Sequence, residues 1–197
     1  MRGSYIGEIV RAHTSEFSAV VPPALLEQGN LPVCLGTLVK VQTARAAVYG
    51  IVSFIEHAPF NSSRKILPHG KSRDELRKEM PQVFELLQTE FTAIAVGVET
   101  AEGKLVQTVP PTPPDLHDFV YATSSHDLAR FLERAPTFLR LVLQSRSTVS
   151  DEIIVAFFRN YQAQMSRQCL VKLGKELSYL LSDDYRRLES ILMRIYD

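Results

Sequence analysis

Apolar positions in the first 110 residues come in short, valine-rich runs broken by turn residues, whereas beyond residue 114 they return every three or four positions. The first pattern predicts strands and the second helices, because side chains alternate across a strand but revisit one helix face about every 3.6 residues. Strands are predicted over residues 5–12, 17–21, 38–41, 46–55, 91–99 and 104–109, the third and fourth favoured by their β-branched and aromatic content. His13-Thr14-Ser15-Glu16 and Glu102-Gly103 supply hairpin connections. Pro22-Pro23 stops the second strand, since proline fixes φ and has no N–H for a ladder. A short helical turn over residues 24–27 then leads to the turn signal Gly29-Asn30.

The alternation lapses from His57 to Lys71, where Pro59, Asn61-Ser62-Ser63 and Pro68-His69-Gly70 predict a long irregular loop. Ser72 and Glu75 form a capping-box signature at the start of a helix carrying Leu76, Met80, Val83, Phe84 and Leu87. Pro81 kinks or restarts that helix. The stiff stretch Pro110-Pro111-Thr112-Pro113-Pro114 is the predicted domain boundary, dividing residues 1–114 from 115–197. Four or five helices are predicted beyond it. They begin with the capping pair Ser124 and Asp127, and Pro136 ends the first. Asp151 and Glu152 follow Ser150 at the positive start of a helix bearing Ile154, Phe157, Phe158 and Tyr161. Short connections imply an antiparallel bundle. The fold class expected is α+β: a six-stranded antiparallel barrel with a helical insertion at about 72–90, then a helical domain.

Composition narrows the function classes. Lysine and arginine number 22 against 22 aspartates and glutamates, and the charge balances within each half as well. A domain-wide basic surface, the usual mark of a nucleic-acid binder, is therefore excluded. No apolar run approaches the roughly 20 residues that span a bilayer, and no apolar signal core precedes the first strand. Cys34 and Cys169 lack CxxC spacing and read as reduced thiols in preference to the alternative, a disulfide across the two halves; with no signal core or span, a cytoplasmic location is expected.

The strands in order resemble the HerA–ATP-synthase barrel, or HAS-barrel, family over about residues 1–122. The resemblance rests on Tyr5-Ile6-Gly7-Glu8-Ile9-Val10, Phe17-Ser18-Ala19-Val20-Val21, Gly36-Thr37-Leu38-Val39-Lys40-Val41 and Val48-Tyr49-Gly50-Ile51-Val52. It continues with Ala93-Ile94-Ala95-Val96-Gly97-Val98 and the exit at Pro110-Pro111 into Phe119-Val120-Tyr121-Ala122. It implies a Greek-key-like barrel that helps assemble rings. In such relatives an ATPase domain follows the barrel; here helices take its place, so neither ATP hydrolysis nor DNA pumping carries over.

Candidate chemistry is sparse. Gly70-Lys71-Ser72 imitates the end of a phosphate-binding loop, but Lys65 stands where its first glycine belongs, and Ser72 is better read as a helix cap. His13, His57, His69, His117 and His126 share no metal-ligand spacing, and Glu8, Glu16, Glu56 and Glu99 read as solvated outer-face carboxylates. No catalytic, cofactor-binding or metal-ligating residue is assigned. Arg159, Arg167, Lys172 and Lys175, with Tyr161 available for stacking, are the candidate nucleic-acid contacts. The expected function is a non-enzymatic interaction or assembly module whose barrel docks to a like barrel or to a ring ATPase. A nucleic-acid-associated factor is the alternative.

Overall fold

The structure, a computed structural model, describes residues 5–27, 31–61 and 66–196. The expected turn at Gly29-Asn30, and Ser62, Ser63 and Lys65 of the expected loop, lie outside them. The elements in order are β1 (Gly7–Ala12), β2 (Glu16–Val20), α1 (Pro23–Glu27), β3 (Leu38–Gln42), β4 (Ala46–Pro59), α2 (Arg73–Glu79) and α3 (Gln82–Glu85). There follow β5 (Leu87–Thr100), β6 (Leu105–Val106), β7 (Phe119–Ala122), α4 (Ser125–Glu133), α5 (Phe138–Leu143) and α6 (Ser150–Tyr161). A 3₁₀ turn (Gln162–Gln164), α7 (Arg167–Leu180) and α8 (Tyr185–Tyr196) complete the chain.

Six antiparallel strands close into a barrel in the order β1-β2-β5-β4-β3-β7 and back to β1. Closure leaves no full-length edge on which another chain might aggregate. The sixth stave is β7, not the expected strand at 104–109. That stretch yields only the two-residue β6, which pairs with the end of β5 outside the cylinder. The reason lies in Gln107, whose side chain is taken up by the helices, drawing the chain off the sheet. After the proline stretch the chain returns, and Val120 drops into the barrel interior while Ile6 donates to its carbonyl at 2.8 Å.

Two hydrophobic cores explain why the central strands read as continuous apolar runs. Phe17, Val39, Val48, Val52, Phe91 and Val120 fill the barrel. Leu38, Tyr49, Ile51, Ile94 and Val96 face outward, where α4 to α8 pack on them. Strands buried on both faces lose the apolar–polar alternation of a half-solvated sheet. Tyr49, Phe131, Phe138, Phe157 and Tyr161 run from barrel to helices with successive ring centroids 5.8, 5.3, 4.9 and 5.2 Å apart. Inside the barrel, a Cβ at Gly50 would lie 2.7 Å from the Phe17 ring, so this glycine makes room for the largest interior side chain beside it.

β4 and β5 outrun the barrel as a two-stranded arm, paired as far as Pro59↔Leu87. The expected irregular loop therefore starts at residue 60 rather than 57. The insertion helices α2 and α3 sit beyond the arm and bury no residue, although Leu76, Val83 and Phe84 have the spacing of a core face. Leu87 belongs to β5 instead of that helix. Ser72 makes the expected capping box with Glu75, and Pro81 starts α3. Among the described residues, no helix is long and apolar enough to cross a membrane.

Candidate functional site

Three places carry the chain's chemistry: the seam between barrel and helices, the uncovered barrel wall, and the outer face of α7.

At the seam, β3 presents Lys40 outward, β4 presents Tyr49, β5 presents Glu99 and the first turns of α4 present Asp127 and Arg130. Lys40 Nζ lies 2.9 Å from Glu99 and 3.2 Å from Asp127. The Tyr49 hydroxyl lies 3.1 and 3.3 Å from the same two carboxylates. Arg130 donates to the other Glu99 oxygen at 2.5 Å, and to the Gly103 carbonyl at 2.8 Å. Ser124 caps α4 and donates to the second Asp127 oxygen at 2.8 Å. With side chains only 19, 13 and 19% exposed, Lys40, Glu99 and Asp127 are charges that survive burial by pairing.

The protonation states follow from this wiring. Burial alone would lift the Glu99 carboxyl, but hydrogen bonds from Lys40 and Arg130 outweigh it and hold it below the ordinary range. Burial opposes Asp127 likewise, and Ser124, Lys40 and Tyr49 hold it down. Desolvation works against the Lys40 ammonium, yet Glu99, Tyr49 and Asp127 raise its pKa overall. Burial pushes the Tyr49 hydroxyl up to about 12, against the pull of Lys40. Two cations and two anions cancel, and each carboxylate oxygen has a donor. The network fastens α4 to the barrel. Glu99 is thus not the solvated outer-face carboxylate that its strand position suggests; its neighbours come from distant sequence.

A second fastening lies at the helix end of the aromatic ladder. Gly36 has φ +76°, and a Cβ there would lie 2.4 Å from the Phe157 nitrogen, so the loop before β3 rests directly on the backbone of α6. Asn160 donates to the Leu35 carbonyl at 2.9 Å, and the Tyr161 hydroxyl accepts from the Leu38 N–H at 2.8 Å. Cys34 Sγ sits 3.3 Å from the Thr37 hydroxyl, and neither cysteine is in a disulfide.

The helices cover only one side of the cylinder, since their core draws on β3, β4, β5 and β6. On the side of β1 and β7, Tyr5, Val10, Leu116 and Phe119 are between 37 and 59% exposed. The Tyr5 and Phe119 rings meet at 4.5 Å, and His117 Nδ1 lies 2.6 Å from Glu8 beside them. The long-range bond from His117 N–H to the Ile9 carbonyl, 2.9 Å, brings Leu116 and Val10 onto this same wall. Tyr5, Glu8, Val10 and Phe119 were quoted in the sequence as matching segments, not as a surface, and Leu116 was not singled out; the outward set becomes visible only once Ile6, Ile9 and Val120 are known to point inward.

The structure separates the four candidate nucleic-acid contacts. Arg159 donates to the Arg194 carbonyl at 2.8 Å, tying α6 to α8. Lys172 donates to the Glu133 and Arg134 carbonyls at 2.9 and 2.6 Å, where a cation satisfies the last carbonyls of α4. Arg167 and Lys175 stay on the exposed face of α7, along an open groove of about 680 Å³ with Pro136, Val171 and Glu176. Tyr161 is not free to stack on a base, since its ring packs on Phe157 and its hydroxyl holds Leu38. Of the phosphate-loop imitation, Ser72 caps α2 and Lys71 pairs with Glu79. No protein-family model matches the chain, and no curated protein matches it.

Proposed function

We propose that the chain is a non-enzymatic interaction or assembly module whose barrel docks, through the β1–β7 wall, to a like barrel or to a ring ATPase. The observation that carries this reading is the exposed apolar set Tyr5, Val10, Leu116 and Phe119 on the wall the helices leave bare. Apolar area gathered on one surface, rimmed by Glu8 and His117, is the usual composition of a docking patch. The HAS-barrel resemblance supports it further, since barrels of that kind, with a Greek-key-like strand path, help to assemble rings. The nucleic-acid reading draws less support: Arg159 and Lys172 are committed to backbone carbonyls and Tyr161 to Leu38.

Light scattering across a wide range of concentration, alone and with a ring ATPase from the same source, tests the reading. The expected result is a mass increase that disappears in Phe119→Glu while the circular dichroism spectrum is kept. A monomer at every concentration that recovers no protein partner would contradict it.

A further inference from the structure

We propose that the groove along α7 binds an extended acidic segment of a partner protein, two carboxylates flanking an apolar side chain. Arg167, Val171 and Lys175 are exposed and stand at successive i, i+4 positions of one helix ridge. Each such step rises about 6 Å along a helix, and two residues of an extended chain advance about 6.6 Å. Alternate side chains of an extended segment therefore keep pace with the ridge over three positions. A carboxylate, an apolar residue and a carboxylate at i, i+2 and i+4 meet Arg167, Val171 and Lys175 in turn. Tyr179, exposed one turn further, extends the same ridge.

Charge complementarity picks out an acidic occupant. Among the described residues the side chains of Arg167 and Lys175 make no hydrogen bond or ion pair. Arg167 sits in the first turn of α7, which carries no acidic residue, so a cation faces the positive end of the helix. An incoming carboxylate relieves that arrangement. A nucleic-acid strand fits less well: two free cations release few counterions.

Fluorescence anisotropy on the full chain provides the test. The probes are a labelled peptide with Glu-Ser-Leu-Ser-Glu set in glycine and serine, an isomer with the two glutamates adjacent, and a single-stranded DNA oligonucleotide. The spaced peptide is expected to bind best at low salt. Its affinity falls about tenfold in the double variant Arg167→Glu, Lys175→Glu, the loss of two exposed ion pairs. Val171→Ala, which removes the apolar contact without changing charge, weakens it as well. Thermal unfolding of both variants checks that they fold. No peptide binding, binding indifferent to glutamate spacing or to charge reversal, or an oligonucleotide that binds tighter than the peptide would each overturn the proposal.

Discussion

At Gly36 two demands coincide, a left-handed backbone and contact with the α6 backbone. An alanine there pays for the positive φ, about 1 kcal/mol, and must also push the loop off Phe157. Gly36→Ala is therefore expected to lower stability by about 3 kcal/mol, read as an earlier urea midpoint at constant slope; an unchanged midpoint would remove this contact from the account. Lys40 is the second sensitive position. Replacing it with methionine leaves Glu99 and Asp127 short of a cation in a partly buried site, and a loss of about 2–4 kcal/mol is expected. The pH dependence has a definite sign. Glu99 and Asp127 have folded values below their ordinary 4.5 and 3.8, so their stabilisation is complete above those values and is lost as pH falls through the depressed ones. Tyr49, raised from 10.0 to about 12, contributes stability complete below pH 10 and lost as pH rises towards 12. Denaturation at a series of pH values should show both losses in the parent chain, with the acid loss smaller in Lys40→Met, where the cation that holds both carboxylates down is gone. None of this cluster was legible as a cluster, because Lys40, Glu99 and Asp127 belong to three elements far apart in sequence. The capping role of Ser124 and Asp127 was legible, since only two residues separate them along one chain.

Among the elements, β7 and the insertion show what local pattern reading captures and what it misses. The helix starts at Ser72 and Ser124 were readable because a cap is a local transaction between a hydroxyl and a nearby N–H. Whether a helix is buried is not local. α2 and α3 keep a core-like spacing of apolar residues, yet the arm formed by β4 and β5 carries them clear of both cores. Deleting residues 60–86 and closing the arm with Asn-Gly is accordingly expected to shift the unfolding free energy by less than about 1 kcal/mol; a larger loss would show that the insertion packs on the barrel. Gln107 has the opposite character. Its amide donates to the Phe131 carbonyl at 2.8 Å and accepts from the Phe138 N–H at 3.1 Å, joining the end of α4 to the start of α5 in a buried place. Gln107→Leu strands both groups and is expected to cost about 2–4 kcal/mol, measurable by the same urea titration.

For the molecule as a whole, the shared core matters more than the proline stretch that punctuates the sequence. Tyr49, Ile51, Ile94 and Val96 are barrel residues whose outward faces are buried by the helices. Barrel and helices are thus expected to unfold together, with tyrosine fluorescence and far-ultraviolet circular dichroism giving coincident transitions. A fragment ending at residue 114 lacks β7, the stave between β1 and β3, and is expected not to fold. Phe119–Ala122 was quoted beforehand only as the exit segment of the barrel resemblance; its place in the cylinder was not legible, because closure is decided by pairing across more than a hundred residues of chain. The helices clamp one wall and leave the opposite one apolar and open. A photo-crosslinking amino acid at Phe119, with another at Tyr179 as reference, probes that division in the full-length chain. Adducts from position 119 to a second copy or to a ring ATPase are the expected outcome. A position 119 that yields no protein adduct, with all cross-links coming from 179, would contradict the docking wall.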